Sequence, residues 1–436
     1  MNYMTAYYYT FGCKVNQYET DVICELMEKS GFSTVSEIKL AEVIIINSCT
    51  VTGWADNKLR QLIRRIRREN PEAMIALCGC FPQTYPESPV LLEADVVLGE
   101  NNKTAVPDII KEYLEYGIRR CCILPHSKNE KIEPMSLAKG SGKTRAAIRI
   151  QDGCDRFCSY CIIPYARGCS RSKPLDEIAK EAARLAESGH KEIIIVGINL
   201  SCYGLDFNDG TNIADAVHAV CSRDGVLRVR LGSIEPEMLT DSIITRLSKE
   251  AKLCPQFHLS LQSGCDKTLK EMRRKYDTRE YLALVESLRR HFPGCAITTD
   301  VMTGFAGETE EDFKQSVEFV KKVGFSKVHV FPYSEREGTV AAKRSDHLPL
   351  EIRYKRAEIM TEAASVSERL FLESLIGRME TVLFEREHDK EWHQGHTGSY
   401  VLVKVRHFTD TLWKEIKKVR IISVEDGFCI GEILPE

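Results

Sequence analysis

The segment Cys154-Asp155-Arg156-Phe157-Cys158-Ser159-Tyr160-Cys161 decides how the rest of the chain is read. It follows a short run, Ala147-Ile148-Arg149-Ile150, whose pattern is that of a strand. Three thiols at C-x3-C-x2-C spacing can turn towards one centre, and soft sulfur ligands so close together suit zinc or an iron–sulfur cluster. The count of three is the informative part. A structural zinc site is closed by four ligands, whereas a cubane held at three corners keeps one iron open for a substrate or cofactor. The competing reading is three neighbouring thiols without metal in a cysteine-rich chain. The strand before the run and the aromatic Tyr160 before its last cysteine weigh against that.

At 436 residues the chain has room for two or three domains, each with its own core. Hydrophobic residues at 43% and charged residues at 28% are ordinary for a globular protein. No apolar run reaches about eighteen residues, so no membrane span or membrane partner is expected. The opening MNYMTAYYYTFGCKVNQYET lacks a basic region followed by an apolar one, which argues against a signal peptide. The 17 cysteines are therefore expected in a reducing, cytoplasmic setting, where clustered thiols signal metal more than disulfides. A net charge of −3 offers no global attraction for nucleic acid, so any such contact must come from local patches.

Towards the N-terminus the pattern alternates: strand over 4–10, helix over 17–30, strand over 43–47, helix over 55–69, strand over 73–77, strand over 95–98 and helix over 105–116. Strands separated by helices argue for a parallel sheet with both faces covered. Cys13, Cys49 and Cys80 stand where the first three strands end. The carboxyl ends of such strands share one edge, where ligands bind, so three cysteines 36 and 31 positions apart should converge there. The alternative is core cysteines at strand ends. Cys78, two residues before Cys80, should point the other way and be structural. On the helix over 55–69, Arg60, Arg64, Arg67 and Arg68 share one face, read either as a solvated stripe or as phosphate-backbone contacts beside the first triplet.

Residues 126–144 are polar, with Gly, Ser and Pro, and read as a linker. From 147 the alternation resumes, with strands over 147–150, 192–196, 227–231, 257–261, 296–302 and 327–331. Helices are expected over about 175–188, 212–223, 237–250, 266–291 and 309–323. Six βα units fall two short of a closed eight-stranded barrel, so an open partial barrel is expected, its functional groups at the carboxyl ends of the strands. Those ends carry the cysteine triplet, Gly197, Ser233 and Glu235, Gln262 and Ser263, Gly304 to Glu308, and Tyr333 and Ser334. Beyond a charged helix, strands over 380–384, 400–405 and 420–423 suggest a small β-module. Trp392, His393 and His396 are placed on a surface loop of that module.

Across nearly its full length the sequence resembles the radical S-adenosylmethionine (SAM) methylthiotransferases. The matching motifs are FGCKVNQYET, INSCTVT, GCFPQ, IQDGCDRFCSYCIIPYARGCSRS, RLGSIEP, HLSLQSGCDKTLKEMRRKY, ITTDVMTGFAGETEEDF and FPYSEREGTVAAK. GCKVNQYET and IIPYARGCSRS look most like the branch acting on N6-threonylcarbamoyladenosine in tRNA. GCFPQ departs from the family pattern, with Phe81-Pro82 where many relatives have Tyr-Ala.

The resemblance implies an α/β protein in three parts. A flavodoxin-like parallel-sheet domain over 1–125 carries an auxiliary Fe–S cluster. After the linker over 126–144 come a radical-SAM partial (βα)6 barrel over 145–370 and a C-terminal TRAM β-barrel over 371–436, which binds RNA. It implies two [4Fe-4S] clusters, one on Cys13, Cys49 and Cys80 and one on Cys154, Cys158 and Cys161, with SAM on the open iron of the second. It assigns SAM contacts to Tyr160, Gly197, Ser233, Glu235, Gln262, Gly304 and Gly307, the two last glycines letting the chain approach adenine closely. RNA phosphates are expected on Arg60, Arg64, Arg67, Arg68, Arg167 and Arg171. The implied partners are a tRNA anticodon loop, a sulfur donor and a low-potential electron donor such as flavodoxin or ferredoxin. Competing substrates are isopentenyladenosine in tRNA and an aspartate of a ribosomal protein. A reading of another class is a non-catalytic, zinc-bound RNA-binding protein.

Overall fold

The computed structural model describes residues 4–128, 130–140, 142–386, 391–406 and 411–435. Among these, the N-terminal part is built from β1 (Met4–Thr10), α1 (Lys14–Lys29), β2 (Phe32–Thr34), β3 (Val43–Ser48), α2 (Gly53–Glu69), β4 (Met74–Gly79), α3 (Cys80–Thr84), β5 (Val96–Leu98), α4 (Val106–Tyr116) and β6 (Arg120–Cys122). The strands pair in parallel in the order β2-β1-β3-β4-β5-β6. β3 and β4 are buried along their whole length, which is why they read as unbroken apolar runs. The edge strands β2 and β6 have three residues each and half-exposed sequences, too short and too polar to carry a period. The pairing sets Tyr9 beside Ile46 and Ile46 beside Leu77, so the loops after β1, β3 and β4 emerge side by side.

The segment expected to be a loose linker is instead held in place. Met135 and Leu137 are buried in the main core. The Met135 carbonyl accepts from Tyr18 Oη (2.8 Å) and Lys173 Nζ (2.7 Å), and Leu137 N–H donates to Glu181 at 2.8 Å. Glu25 on α1 accepts from the backbone N–H groups of Ala138, Lys139 and Gly140. Polar composition here marks a backbone that carboxylates from two flanking helices satisfy.

Next come β7 (Ala146–Arg149) and β8 (Gln151–Asp152), then α5 (Ile163–Arg167) and β9 (Arg171–Ser172), which pairs back on β8. The barrel continues with α6 (Leu175–Glu187), β10 (Glu192–Val196), α7 (Ile213–Cys221), β11 (Arg228–Leu231), β12 (Ser233–Ile234), α8 (Asp241–Leu247), β13 (Gln256–Leu259), α9 (Asp266–Glu271), α10 (Thr278–His291), β14 (Ala296–Thr303), α11 (Glu310–Val323), β15 (Lys327–Pro332) and α12 (Leu350–Glu373). β7, β10 and β11 pair in parallel, as do β12 to β15. Only Gly232 separates β11 from β12, so one bent strand joins the two sheets into an open barrel of six βα units. The helix expected over 266–291 is two helices, because Arg273 takes a left-handed φ of 59° that ends the first.

The chain ends in a closed barrel of β16 (Met379–Phe384), β17 (Trp392–Thr397), β18 (Leu402–Arg406), β19 (Ile416–Glu425) and β20 (Phe428–Ile433), in the order β16-β17-β18-β20-β19. Trp392, His393 and His396 therefore stand on a strand and not on a loop. β17 alternates with His393, Gly395 and Thr397 inward, a period hidden because no inward residue is aliphatic. No helix among the described residues is long and apolar enough to cross a membrane.

Candidate active site: two cysteine triplets and a chamber

Each cysteine of the first triplet is delivered by a strand end. Cys13 precedes α1, Cys49 follows β3, and Cys80 opens α3 directly after β4. Gly12 sits at φ +92°, where a Cβ would fall 2.6 Å from Cys49 Sγ, so the turn carrying Cys13 closes directly onto Cys49. Cys49 and Cys80 are buried, and Cys13 opens onto a cavity. Burial pushes the Cys49 thiol up to about 11, and charge on Cys13 pushes the same way. Cys80 is raised well above the ordinary value by burial, Glu100 and Cys49. Two buried thiols held un-ionised in this way form, with Cys13, a donor set that a bound cation would favour. Among the described residues no three Cys, His, Asp or Glu side chains gather tightly enough for a single metal ion. A cubane takes each thiol on a separate iron and so uses a wider spacing.

Behind this triplet lies a buried charge network that continues to the second. Glu19 of α1 meets Lys103 (2.5 Å), Arg149 (2.9 Å) and Arg167 (2.9 Å). Arg167 also bonds Asp152 (2.9 Å) and Asn16 Oδ1 (2.8 Å), and that oxygen lies 3.4 Å from Cys13 Sγ. Burial alone would raise the Glu19 carboxyl, but Arg167, Lys103 and Arg149 outweigh it and hold it at about 2. Arg171 pairs with Asp152 and Glu130. The assignment of Arg167 and Arg171 to RNA phosphates is thus corrected. Both guanidiniums are buried, at 0% and 4% exposure, with their charge already met by carboxylates. Arg67 is likewise turned to Asp95 and to the carbonyls of Ala73 and Glu93. Arg64 and Arg68 are exposed, and Arg60 lies 6.0 Å from the Phe81 ring beside Cys80.

The second triplet follows β8. The Asp152 carboxylate receives the Gly153 N–H at 2.9 Å, anchoring the loop at the end of the same charge network. Burial pushes the thiols of Cys154 and Cys161 to about 11 and 12, and that of Cys158 upward against the opposing charge of Arg274. Asn199 Nδ2 approaches Cys154 Sγ at 3.8 Å, and Arg274 Nη1 approaches Cys158 Sγ at 3.5 Å.

Between the parts of the fold lies a chamber of about 610 Å³. Its lining includes Cys13 and Lys14 from the first sheet, Gly197, Ser233 and Asp300 from the barrel, and Tyr400 from the C-terminal module.

A sequence model of the radical SAM superfamily matches residues 148–320, and one of the uncharacterized protein family UPF0004 matches residues 5–99. The chain is 36% identical to the threonylcarbamoyladenosine tRNA methylthiotransferase MtaB of Bacillus subtilis, over 99% of this chain and 96% of that protein. With the protein of the same name from Thermotoga maritima it shares 37%, over 96% and 94%. The chain belongs to the radical SAM methylthiotransferases. A tRNA-2-methylthio-N(6)-dimethylallyladenosine synthase of Carboxydothermus hydrogenoformans is 35% identical over 82% of each chain. Among solved structures, the radical SAM methyltransferase TsrM from Kitasatospora setae superposes with a TM-score of 0.57 over 78% of this chain and 77% of that one. At 14% identity this likeness speaks to the fold alone.

In this methylthiotransferase the residues expected to contact SAM fall in several different settings. Gly197 and Ser233 line the chamber with Cys13. Glu235 faces the second triplet through its ion pair with Arg274, and burial raises its pKa against that partner. Gln262 is buried in a left-handed conformation, φ +67°, and its Oε1 has no hydrogen-bond partner among the described residues. Tyr160 packs edge-on to Phe305, with ring centroids 6.4 Å apart, in a cluster with Met302 and Tyr333. At Gly304 and Gly307 this chain's own side chains approach the backbone closely: a Cβ at Gly304 would fall 2.6 Å from Arg353 Cγ, and one at Gly307 2.5 Å from Asp346 Oδ2. Asn199 and Arg274 were not singled out from the sequence. Arg274 was legible only as part of the motif MRRKY, and the left-handed Arg273 that aims it carries no sequence mark.

Proposed function

We propose that this chain is the tRNA methylthiotransferase that installs a methylthio group at C2 of N6-threonylcarbamoyladenosine beside the anticodon. The observation that carries the reading is the full-length likeness to two proteins named for that nucleoside. Two cysteine triplets, with Cys13 of the first opening onto a nucleobase-sized chamber, support it. Cys13, Cys49 and Cys80 would hold one [4Fe-4S] cluster, and Cys154, Cys158 and Cys161 a second with SAM. When bound, these groups supply the sulfur and the radical that attack on an unactivated aromatic C–H requires.

The chain's own groups position and enclose. Asn199 and Arg274 steady the second triplet, and Arg274 offsets thiolate charge in a buried setting where it counts strongly. The orphaned Gln262 Oε1 and Asn199 Oδ1 are acceptors suited to ligand N–H or O–H groups, which fits a cofactor-binding wall. A base must leave its stack to enter the chamber, as single-stranded RNA targets commonly do. Exposed Arg64 and Arg68, with Arg60, are the phosphate contacts that survive.

We place the functional units at 1–125, 145–370 and 371–436, in the cytoplasm, served by a sulfur donor and by a low-potential electron donor such as flavodoxin or ferredoxin. The relative acting on dimethylallyladenosine supports a second reading, in which the same chemistry meets that nucleoside. Nucleoside analysis of tRNA from a deletion strain separates them. Loss of the methylthio derivative of threonylcarbamoyladenosine is expected, and loss of the dimethylallyl derivative alone would contradict the proposal.

A further inference from the structure

The charged groups around the chamber are paired, with one exception. Arg230 bonds Glu192 at 2.9 Å, His258 meets Asp300 at 3.2 Å, Lys327 meets Glu368 at 3.4 Å and His396 meets Glu385 at 2.8 Å. Among the described lining residues Lys14 alone carries a charge with no carboxylate in ion-pair range. It faces the ring of Tyr400 at 5.8 Å, a ring that Arg230 (4.5 Å) and Arg145 (5.4 Å) already approach. That ring is held in place. Tyr400 takes φ +64° and stacks on His396 with centroids 4.5 Å apart. An exposed ammonium with no carboxylate in ion-pair range therefore lines the chamber beside two guanidiniums, and an arriving anion would relieve their mutual repulsion.

We infer that Lys14 is the docking cation for the carboxylate of the threonylcarbamoyl arm, and so a specificity-determining residue of the chamber. This rests on the substrate reading given above. The threonylcarbamoyl group ends in a carboxylate, whereas a dimethylallyl group is apolar and offers Lys14 nothing. A carboxylate enters a confined site only against a desolvation penalty unless a cation meets it. Position fits as well. C2 and C6, the carbon that carries the N6 arm, flank N1 in one six-membered ring, so a residue gripping the arm belongs near the sulfur-bearing site, and Lys14 is the neighbour of Cys13.

The test uses the reconstituted full-length protein without oxygen and three anticodon stem–loops. They carry threonylcarbamoyladenosine, its carboxylate methyl ester, or dimethylallyladenosine, and Kd is read by fluorescence anisotropy. The unaltered protein should bind the acid about tenfold or more tighter than the ester, the size of a charge-assisted hydrogen bond. Lys14→Gln, with its iron content checked, should remove the difference, and Lys14→Arg should keep most of it. Equal binding of acid and ester by the unaltered protein would overturn the inference whatever the variants do, and so would undiminished discrimination by Lys14→Gln. Tightest binding of the dimethylallyl stem–loop would instead overturn the substrate reading itself.

Discussion

Cys154, Cys158 and Cys161 lie within eight residues of one loop, whereas Cys13, Cys49 and Cys80 are 36 and 31 positions apart and meet because three parallel strands end at one edge. The local triplet is placed by a loop anchored on Asp152 and steadied by Asn199 and Arg274. The dispersed triplet is placed by the register of a sheet, with two of its thiols buried and the third open to the chamber. A cluster built on one loop can be altered by that loop's neighbours without disturbing the fold. One built on a sheet edge depends on the register of three strands distant in sequence.

Single substitutions should separate the two regions most sharply. Cys158→Ala should abolish SAM cleavage altogether. Cys49→Ala should cleave SAM and form no methylthio product, as judged by chromatography of 5′-deoxyadenosine and of digested tRNA. Product from the Cys49 variant would break the division of labour.

Arg167→Met comes next, because Arg167 belongs to the network behind both triplets. Removing it takes one cation from Glu19 and one from Asp152, leaving them to Lys103, Arg149 and Arg171, with a loss of about 1.5–3 kcal/mol expected by chemical denaturation. A change under 1 kcal/mol would mean the network does not hold the N-terminal sheet to the barrel. Arg274→Gln should spare the fold and lower SAM cleavage about tenfold, the effect of losing one charged hydrogen bond. An unchanged rate would remove Arg274 from the site.

The smallest effect is in pH. Glu19 is held at about 2 when folded, against an ordinary unfolded value of about 4.3. Its depressed pKa contributes stability above the unfolded value, and that contribution is lost as pH falls towards the folded one. The stability gap between unaltered protein and Glu19→Gln should hold from pH 7 to about 5 and shrink between about 4.3 and 2.

Much of this was legible in sequence where one physical cause dominated. The apolar run at 43–47 announced a strand buried on both faces, and strand ends at Cys13, Cys49 and Cys80 announced an edge where ligands gather. Arg167 and Arg171 misled because a basic residue near a cysteine cluster looks the same whether it meets phosphate or a buried carboxylate. Its partner Glu19 is 148 positions away. The stretch 126–144 looked loose because the carboxylates that hold its backbone come from other helices. Gly304 and Gly307 marked tight approaches, and within the chain it is Arg353 and the Arg344–Asp346 pair that approach them. Partners distant in sequence are what a local reading lacks.

The most direct measurement is iron content after anaerobic reconstitution, taken on the unaltered protein and on two triple variants, Cys13/Cys49/Cys80→Ala and Cys154/Cys158/Cys161→Ala. Two independent three-cysteine sites predict about eight irons in the first and about four in each variant. Four irons in the unaltered protein, or an unchanged content when the first triplet is removed, would contradict the account.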